Sequence, residues 1–195
     1  IYTTEDGTHA FVGMILGEGG ENLTQAHMEE HMENSPLAGM PGRAGASQAN
    51  NGYSDEDEAK AMELIQDAPF YVEEGSGDQV IYVIFDTQCG YCQRMYQASR
   101  SVLDDVTIRW VPVGYLGEQS LRQAAQIADS DTPADTMALF EQGGGVTVAP
   151  STEAMDLVSQ NSQLAQQAGI TATPTTIYED ANGEAQIRRG ALRAA

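Results

Sequence analysis

Residues 79–92 constrain the possible folds of this chain more than any other stretch. Gln79-Val80-Ile81-Tyr82-Val83-Ile84-Phe85 is a nearly continuous apolar run of strand formers. Such a run suits a strand buried on both faces. Asp86-Thr87-Gln88 follows, and then Cys89-Gly90-Tyr91-Cys92. Beyond it, Cys92, Met95, Tyr96, Ser99, Val102 and Leu103 recur at helical spacing and share a face. Thr107 to Val113 reads as the next strand. The stretch is therefore β-loop-α-β, with the C-x-x-C at the start of the helix.

Cys89 and Cys92 are the only cysteines. Two cysteines cannot make a disulfide framework or a four-cysteine zinc site, and no further zinc ligands are spaced nearby. No metal and no cofactor is expected. A lone C-x-x-C beside a βαβ pattern reads as a redox motif, against the alternative of two inert core thiols. The thiolate is the attacking species in disulfide exchange. The first residue of a helix sits among unpaired N–H groups at the positive end of the dipole, which favours a thiolate. Cys89 holds that position and is expected to be the nucleophile. Cys92, one turn in and on the apolar face, is expected to resolve the mixed disulfide. Gly90 and Tyr91 carry no charge, so the helix end must do most of that work.

Thr171-Ala172-Thr173-Pro174-Thr175 is the second feature. A Pro directly before a strand lacks the N–H a ladder needs, and cis peptide bonds are essentially an X-Pro phenomenon. A cis Thr173-Pro174 against the Cys89 helix end would free the Thr173 backbone to pair with an extended substrate. It would also keep metal from the thiols. A trans Pro opening an edge strand is the alternative.

A chain of 195 residues fits one domain, with room for a smaller appendage. No apolar stretch approaches the length of a transmembrane helix. The chain begins at Ile1 without a leader, which implies either a removed signal or a fragment. Ile1–Thr4 and His9–Leu16 read as short strands around a Glu5-Asp6-Gly7 turn, followed by a polar helix over Thr24–Glu33. Two short strands are marginal alone, so this piece needs the main domain or a second chain. Residues 35–53 are rich in Pro and Gly and read as a linker. A helix restarts behind Ser54, which forms an S-x-x-D capping box with Asp57, and Pro69 stops it. Residues 117–168 show only helices: one around Leu121–Ala128, one from Pro133 to the Gly143–Gly145 run, and one over Ser151–Ala168 with a possible break near Asn161. Asn182-Gly183 signals a closing β-hairpin. Ala191-Leu192-Arg193 would open a further helix, so truncation is expected at Ala195.

Asp and Glu number 29 against 9 Lys and Arg, a net charge of −20. That argues against nucleic acid and anionic lipid as partners. A solubilising shell explains it, and salt tolerance or an acidic periplasmic surface would both fit. His27-Met28-Glu29-Glu30-His31 matches a zinc-peptidase pattern, but no third ligand is placed by any signal, and a solvated helix face is expected. Asn22-Leu23-Thr24 is a glycosylation sequon that matters only in a eukaryotic secretory setting.

Ile81 to Cys92 together with Thr173-Pro174 resembles the DsbC/DsbG family of bacterial periplasmic thiol-disulfide proteins. Tyr2–Leu23 and Phe140–Pro174 resemble the DsbG branch, whereas Cys89-Gly90-Tyr91-Cys92 is of the DsbC type. The resemblance implies an α/β thioredoxin fold with an all-helical insertion at about 117–168. It implies a partial cystatin-like dimerisation segment over 1–34, a linker with a helix over 35–76 and a catalytic domain over 77–195. Cys89 would be the attacking thiol, Cys92 the resolving one and Thr173-Pro174 the cis-Pro loop, with Asp86, Gly90 and Tyr91 supporting the motif. It further implies a periplasmic location, a V-shaped homodimer of the full-length protein, a DsbD-type membrane reductase as partner, and exported proteins as substrates. The activity would be isomerisation or reduction of wrong disulfides, or reduction of cysteine sulfenic acids. A chaperone-like holding protein and a DsbA-like oxidant are the competing readings. Thr173 speaks against the oxidant, because that branch usually has Val before the Pro. The first half of the dimerisation domain and the final helix have no counterpart here, and residues 39–52 look looser than a rigid stalk.

Overall fold

The computed structural model describes residues 53–145 and 148–190, and the backbone of Tyr2–Thr3 and Ala10–Phe11. The chain divides into two compact units, Ile1–Gln48 and Ala49–Ala195. In the first, β1 (Tyr2–Thr3) pairs antiparallel with β2 (Ala10–Phe11), with Tyr2 opposite Phe11. The remainder of the expected second strand, the Thr24–Glu33 helix, His27–His31, the Asn22 sequon and the linker up to Gly52 lie outside the described residues, as does Ala191–Ala195.

The second unit holds one five-stranded sheet in the order β3-β5-β4-β6-β7. Its strands are β3 (Val72–Gly75), β4 (Gln79–Phe85), β5 (Val106–Pro112), β6 (Thr175–Glu179) and β7 (Ala185–Arg189). Central β4 runs parallel to β5 and antiparallel to β6, while β3 and β7 close the two edges antiparallel to their neighbours. The helices are α1 (Asp55–Gln66), α2 (Gly90–Ser99), α3 (Glu118–Ala128), α4 (Pro133–Glu141) and α5 (Thr152–Gln167). Three of them, α3 to α5, fall between β5 and β6.

The apolar run of β4 is buried on both faces because side chains alternate along a strand. Tyr82 and Ile84 enter one core with Ala61, Met62 and Ile65 of α1, Ala165 of α5, and Ile177 and Ile187 of the hairpin. Val83 and Phe85 enter the other with Met95 and Tyr96 of α2, Trp110 of β5, and Met137 and Phe140 of α4. Phe85 and Tyr96 both pack on the Trp110 ring, at 5.8 and 5.6 Å between centroids. A third contact, between α3 and α5, uses small residues: Ala124, Ala125, Ala154 and Val158.

Three local expectations are corrected, and one strand was not anticipated. Residues 53–75 belong to the compact unit rather than to a linker. The α1 helix, held by the reciprocal Ser54–Asp57 capping box, has enough apolar side chains to pack on the sheet. Strand β3 carries too weak an apolar pattern to read from sequence, since Glu73 and Glu74 fill its middle. Both carboxylates find arginines, Glu73 pairing with Arg109 at 2.9 Å and Glu74 with Arg100 at 2.7 Å. The helix after the cysteines ends at Ser99, so Val102 leaves the apolar face and is 39% exposed. Helix α5 runs unbroken through Asn161, whose side chain is buried rather than helix-breaking.

Candidate active site

Strand β4 delivers the site. Its last residue, Phe85, is followed by Asp86, a fully buried carboxylate. Asp86 Oδ1 accepts the Gln88 N–H at 2.8 Å. Oδ2 accepts the Tyr115 and Leu116 N–H groups at 2.8 and 3.0 Å and a hydrogen bond from the Ser120 hydroxyl. One side chain thus ties the β4–α2 loop to the loop after β5 and to the first turn of α3. Hydrogen bonds to charged groups are the stronger kind, so the loop that carries the cysteines is held from three directions. Gln123 of α3 adds to this by accepting from the side chains of Thr87, at 3.0 Å, and Gln88.

Cys89 caps the helix rather than being its first residue. Its backbone is extended, at φ −88° and ψ 109°. Its carbonyl still accepts the Cys92 and Gln93 N–H groups at 2.9 and 3.2 Å. The expectation of a first helical residue is corrected by one position, because a capping residue keeps non-helical angles while its carbonyl begins the helical ladder. The position remains at the electropositive end. Cys89 keeps 8% of its surface and Cys92 none, and both are free thiols. Burial pushes the Cys92 thiol far above the ordinary range, against a smaller opposite effect of a hydrogen bond to the Asp86 backbone. Tyr91, between them, is 61% exposed, and Arg94 lies 5.1 Å over its ring. Gly90 faces open space on its Cβ side.

Thr173-Pro174 is a cis peptide bond. Strand β6, paired directly with β4, brings it to the cysteines from 84 residues further along the chain: the Cys89 thiol donates to the Thr173 carbonyl at 3.4 Å. Thr175 anchors the same loop, its hydroxyl donating to the Ala172 carbonyl at 2.7 Å. Cys89, Cys92, Asp86, Gly90, Tyr91, Thr173 and Pro174 therefore fall in one place. Sequence reasoning missed Ser120, Gln123 and Glu141, which reach the site from α3 and α4. Glu141 is 3% exposed and neither of its carboxylate oxygens has a hydrogen-bond partner among the described residues. Burial, and secondarily the charge of Asp86, push its carboxyl up to about 8.

A central strand that hands a C-x-x-C to the start of a helix, facing a cis-Pro loop at the head of the neighbouring strand, defines a thioredoxin-like domain. The family profile for the thioredoxin-like domain matches residues 71–195, and the chain belongs to that family. Its sequence is similar to the thiol:disulfide interchange protein DsbG of Escherichia coli (strain K12), at 31% identity over 185 residues covering 91% of this chain. The chain spans 66% of that relative's length. The structure is similar to the catalytic domain of Proteus mirabilis ScsC, with a TM-score of 0.57 at 18% identity over 72% of this chain and 92% of that one. It is also similar to Helicobacter pylori DsbG, with a TM-score of 0.54 at 16% identity over 90% of this chain and 79% of that one. At these identities the two structures speak for the fold alone.

Proposed function

We propose that this chain is a thiol-disulfide oxidoreductase acting on exported proteins, working from its reduced form as a reductase and isomerase of wrong disulfides. The observation that carries the reading is the asymmetry of the pair. Cys89 lies at the helix end beside the Thr173 carbonyl, and Cys92 is sealed one turn below. The Cys89 thiolate attacks a substrate disulfide. A Cys89–substrate bond forms, and the other substrate sulfur leaves as a thiolate. In isomerisation a second substrate thiol displaces Cys89, and both partners leave with their oxidation state unchanged. In reduction Cys92 loses its proton and attacks the Cys89 sulfur. The substrate then leaves reduced and the protein holds a Cys89–Cys92 disulfide. A thiol donor must restore the pair, and a DsbD-type membrane reductase fits that need. The name of the Escherichia coli relative supports disulfide interchange, and a periplasmic setting belongs to the same reading. Residues 1–34 as a partial dimerisation segment and α3–α5 as a helical insertion belong to this reading too.

Trapping tests it. Cys92→Ala is expected to accumulate reductant-sensitive adducts with substrate proteins on non-reducing gels, and Cys89→Ala none. Substrate disulfides cannot reach a sulfur with no exposed surface, whereas Cys89 without its partner cannot be released from within. Equal trapping by the two variants, or trapping by Cys89→Ala alone, reverses the roles. Refolding of a scrambled multi-disulfide protein by the reduced wild type then separates isomerase from plain reductase.

A further inference from the structure

Asp86, Thr87 and Gln88 lead directly into Cys89, and each is bound by a side chain from one turn of α3. Ser120 donates its hydroxyl to Asp86 Oδ2. Gln123 lies three residues on and so shares that face of the helix. Its Oε1 accepts from the Thr87 hydroxyl at 3.0 Å and from the Gln88 side-chain amide. Thr87 is buried and Gln88 exposed, so a single oxygen grips the loop both from within and at its surface. The helix behind that oxygen is itself fixed, because Ala124 and Ala125 pack on Ala154 and Val158 of α5.

The nucleophile has less support on its other sides. Cys89 caps α2 without a side-chain hydrogen bond to the helix. Gly90 follows with open space on its Cβ side. The contact with Thr173 is a thiol donating to a carbonyl at 3.4 Å, a weak bond that depends on the thiol proton. The attacking species is the thiolate, which has no proton to donate and faces a carbonyl oxygen. At the moment of attack that bond is therefore gone, and the aim of the sulfur falls to the loop before it and to α3 behind the loop. We propose that Gln123 is a positioning residue for the exchange reaction, acting through Thr87 and Gln88 to keep the Cys89 sulfur aligned with the Thr173-Pro174 edge when the disulfide it attacks belongs to a polypeptide. The inference rests on the thiol-disulfide reading above. A polypeptide has to lie along that edge while its sulfur meets Cys89 in line, whereas a small disulfide has only to meet the sulfur. Loss of alignment costs the polypeptide reaction more, because the rate of a held pair depends on its geometry.

The test compares two oxidants of the reduced full chain: a peptide closed by one disulfide, and bis(2-hydroxyethyl) disulfide. The second-order rate constant is measured for each, and the readout is the ratio of peptide to small disulfide. A change in the amount of folded protein or of thiolate acts on both rates and cancels in the ratio. Gln123→Met keeps the length of the side chain and removes the accepting oxygen. It is expected to lower the ratio roughly three- to tenfold, the worth of a neutral hydrogen bond or two. Gln123→Glu keeps that oxygen and is expected to hold the ratio within about twofold of the wild type, since the charge it adds bears on both rates. Thr87→Val removes one of the two donors at constant shape and is expected to give a smaller fall, which covers the case of a Met variant that does not fold. A ratio that stays at the wild-type value in Gln123→Met, or in Thr87→Val if the Met variant does not fold, overturns the assignment. So does an equal fall in Gln123→Met and Gln123→Glu. Either result leaves the thiol-disulfide reading standing, whereas a wild type that reacts with neither oxidant overturns that reading and the role of Gln123 with it.

Discussion

Cys89 and Cys92 differ by one helical turn, and that turn separates a cysteine with some surface from a cysteine with none. The same contrast between neighbours appears at Glu141, which is buried, beside Gln142, which is exposed. Its folded value of about 8 lies above the ordinary 4.5. Between those two values the folded chain binds a proton that the unfolded chain does not, so stability falls as pH rises through that window. Below about 4.5 both states are protonated, and above about 8 the full cost of a buried charge is present. Replacing Glu141 by Gln removes the titration. Urea unfolding of the wild type and Glu141→Gln at pH 4, 6 and 8 is expected to show the variant gaining on the wild type at each step, by on the order of a few kcal/mol overall. A constant difference across the series would contradict it. At this scale the cysteines, Asp86 and Thr173-Pro174 were legible because each belongs to a short local pattern. Glu141, Ser120 and Gln123 were not: they arrive from helices whose packing no local pattern encodes.

At the scale of elements, Asn161 shows how one side chain can look like a defect and act as a joint. Its position inside α5 suggested a break, because Asn competes with the helix for backbone hydrogen bonds. In the fold its Nδ2 donates to the Phe70 carbonyl at 2.8 Å and to the Pro112 carbonyl at 3.1 Å. It therefore binds α5 to the approach of β3 and to the end of β5. Asn161→Ala is expected to destabilise the chain by roughly 2–4 kcal/mol, since two carbonyls lose their donor at about 1–3 kcal/mol each while a buried Oδ1 with no partner among the described residues goes with the side chain. Thermal unfolding measures this, and a variant as stable as the wild type would show that the joint bears no load. The central strand, its helix and the closing hairpin were readable because their apolar period and turn residues agree. Strand β3 was not, because four residues with two adjacent glutamates carry no period, and it joins the sheet through its ladder to β5 and its ion pairs with Arg100, just after α2, and Arg109 of β5.

At the scale of the molecule, the boundary near residue 48 separates two units, and the second holds both apolar cores. A chain of residues 49–195 is expected to fold alone and unfold in one cooperative transition, with a circular dichroism melting midpoint within a few degrees of the full chain. Broad, non-cooperative melting of 49–195 would mean that residues 1–48 complete its core. Six of the unit's seven cations among the described residues lie against its own side chains. Arg94, Arg100, Arg109 and Arg189 lie over the rings of Tyr91, Tyr96, Tyr71 and Tyr53. Arg100 and Arg109 also bind Glu74 and Glu73, and Arg122 and Arg188 pair with Glu118 and Glu58. With 29 acidic residues against 9 Lys and Arg, and most of the described arginines already paired, an approaching molecule meets a field dominated by carboxylates. Unfolded or half-folded clients rich in lysine would be drawn in from a distance in dilute buffer and lose that advantage in brine, where the field reaches only a few ångströms. The arginines that hold the fold together thereby leave the ionic strength of the surroundings to set how fast the cysteines meet their work.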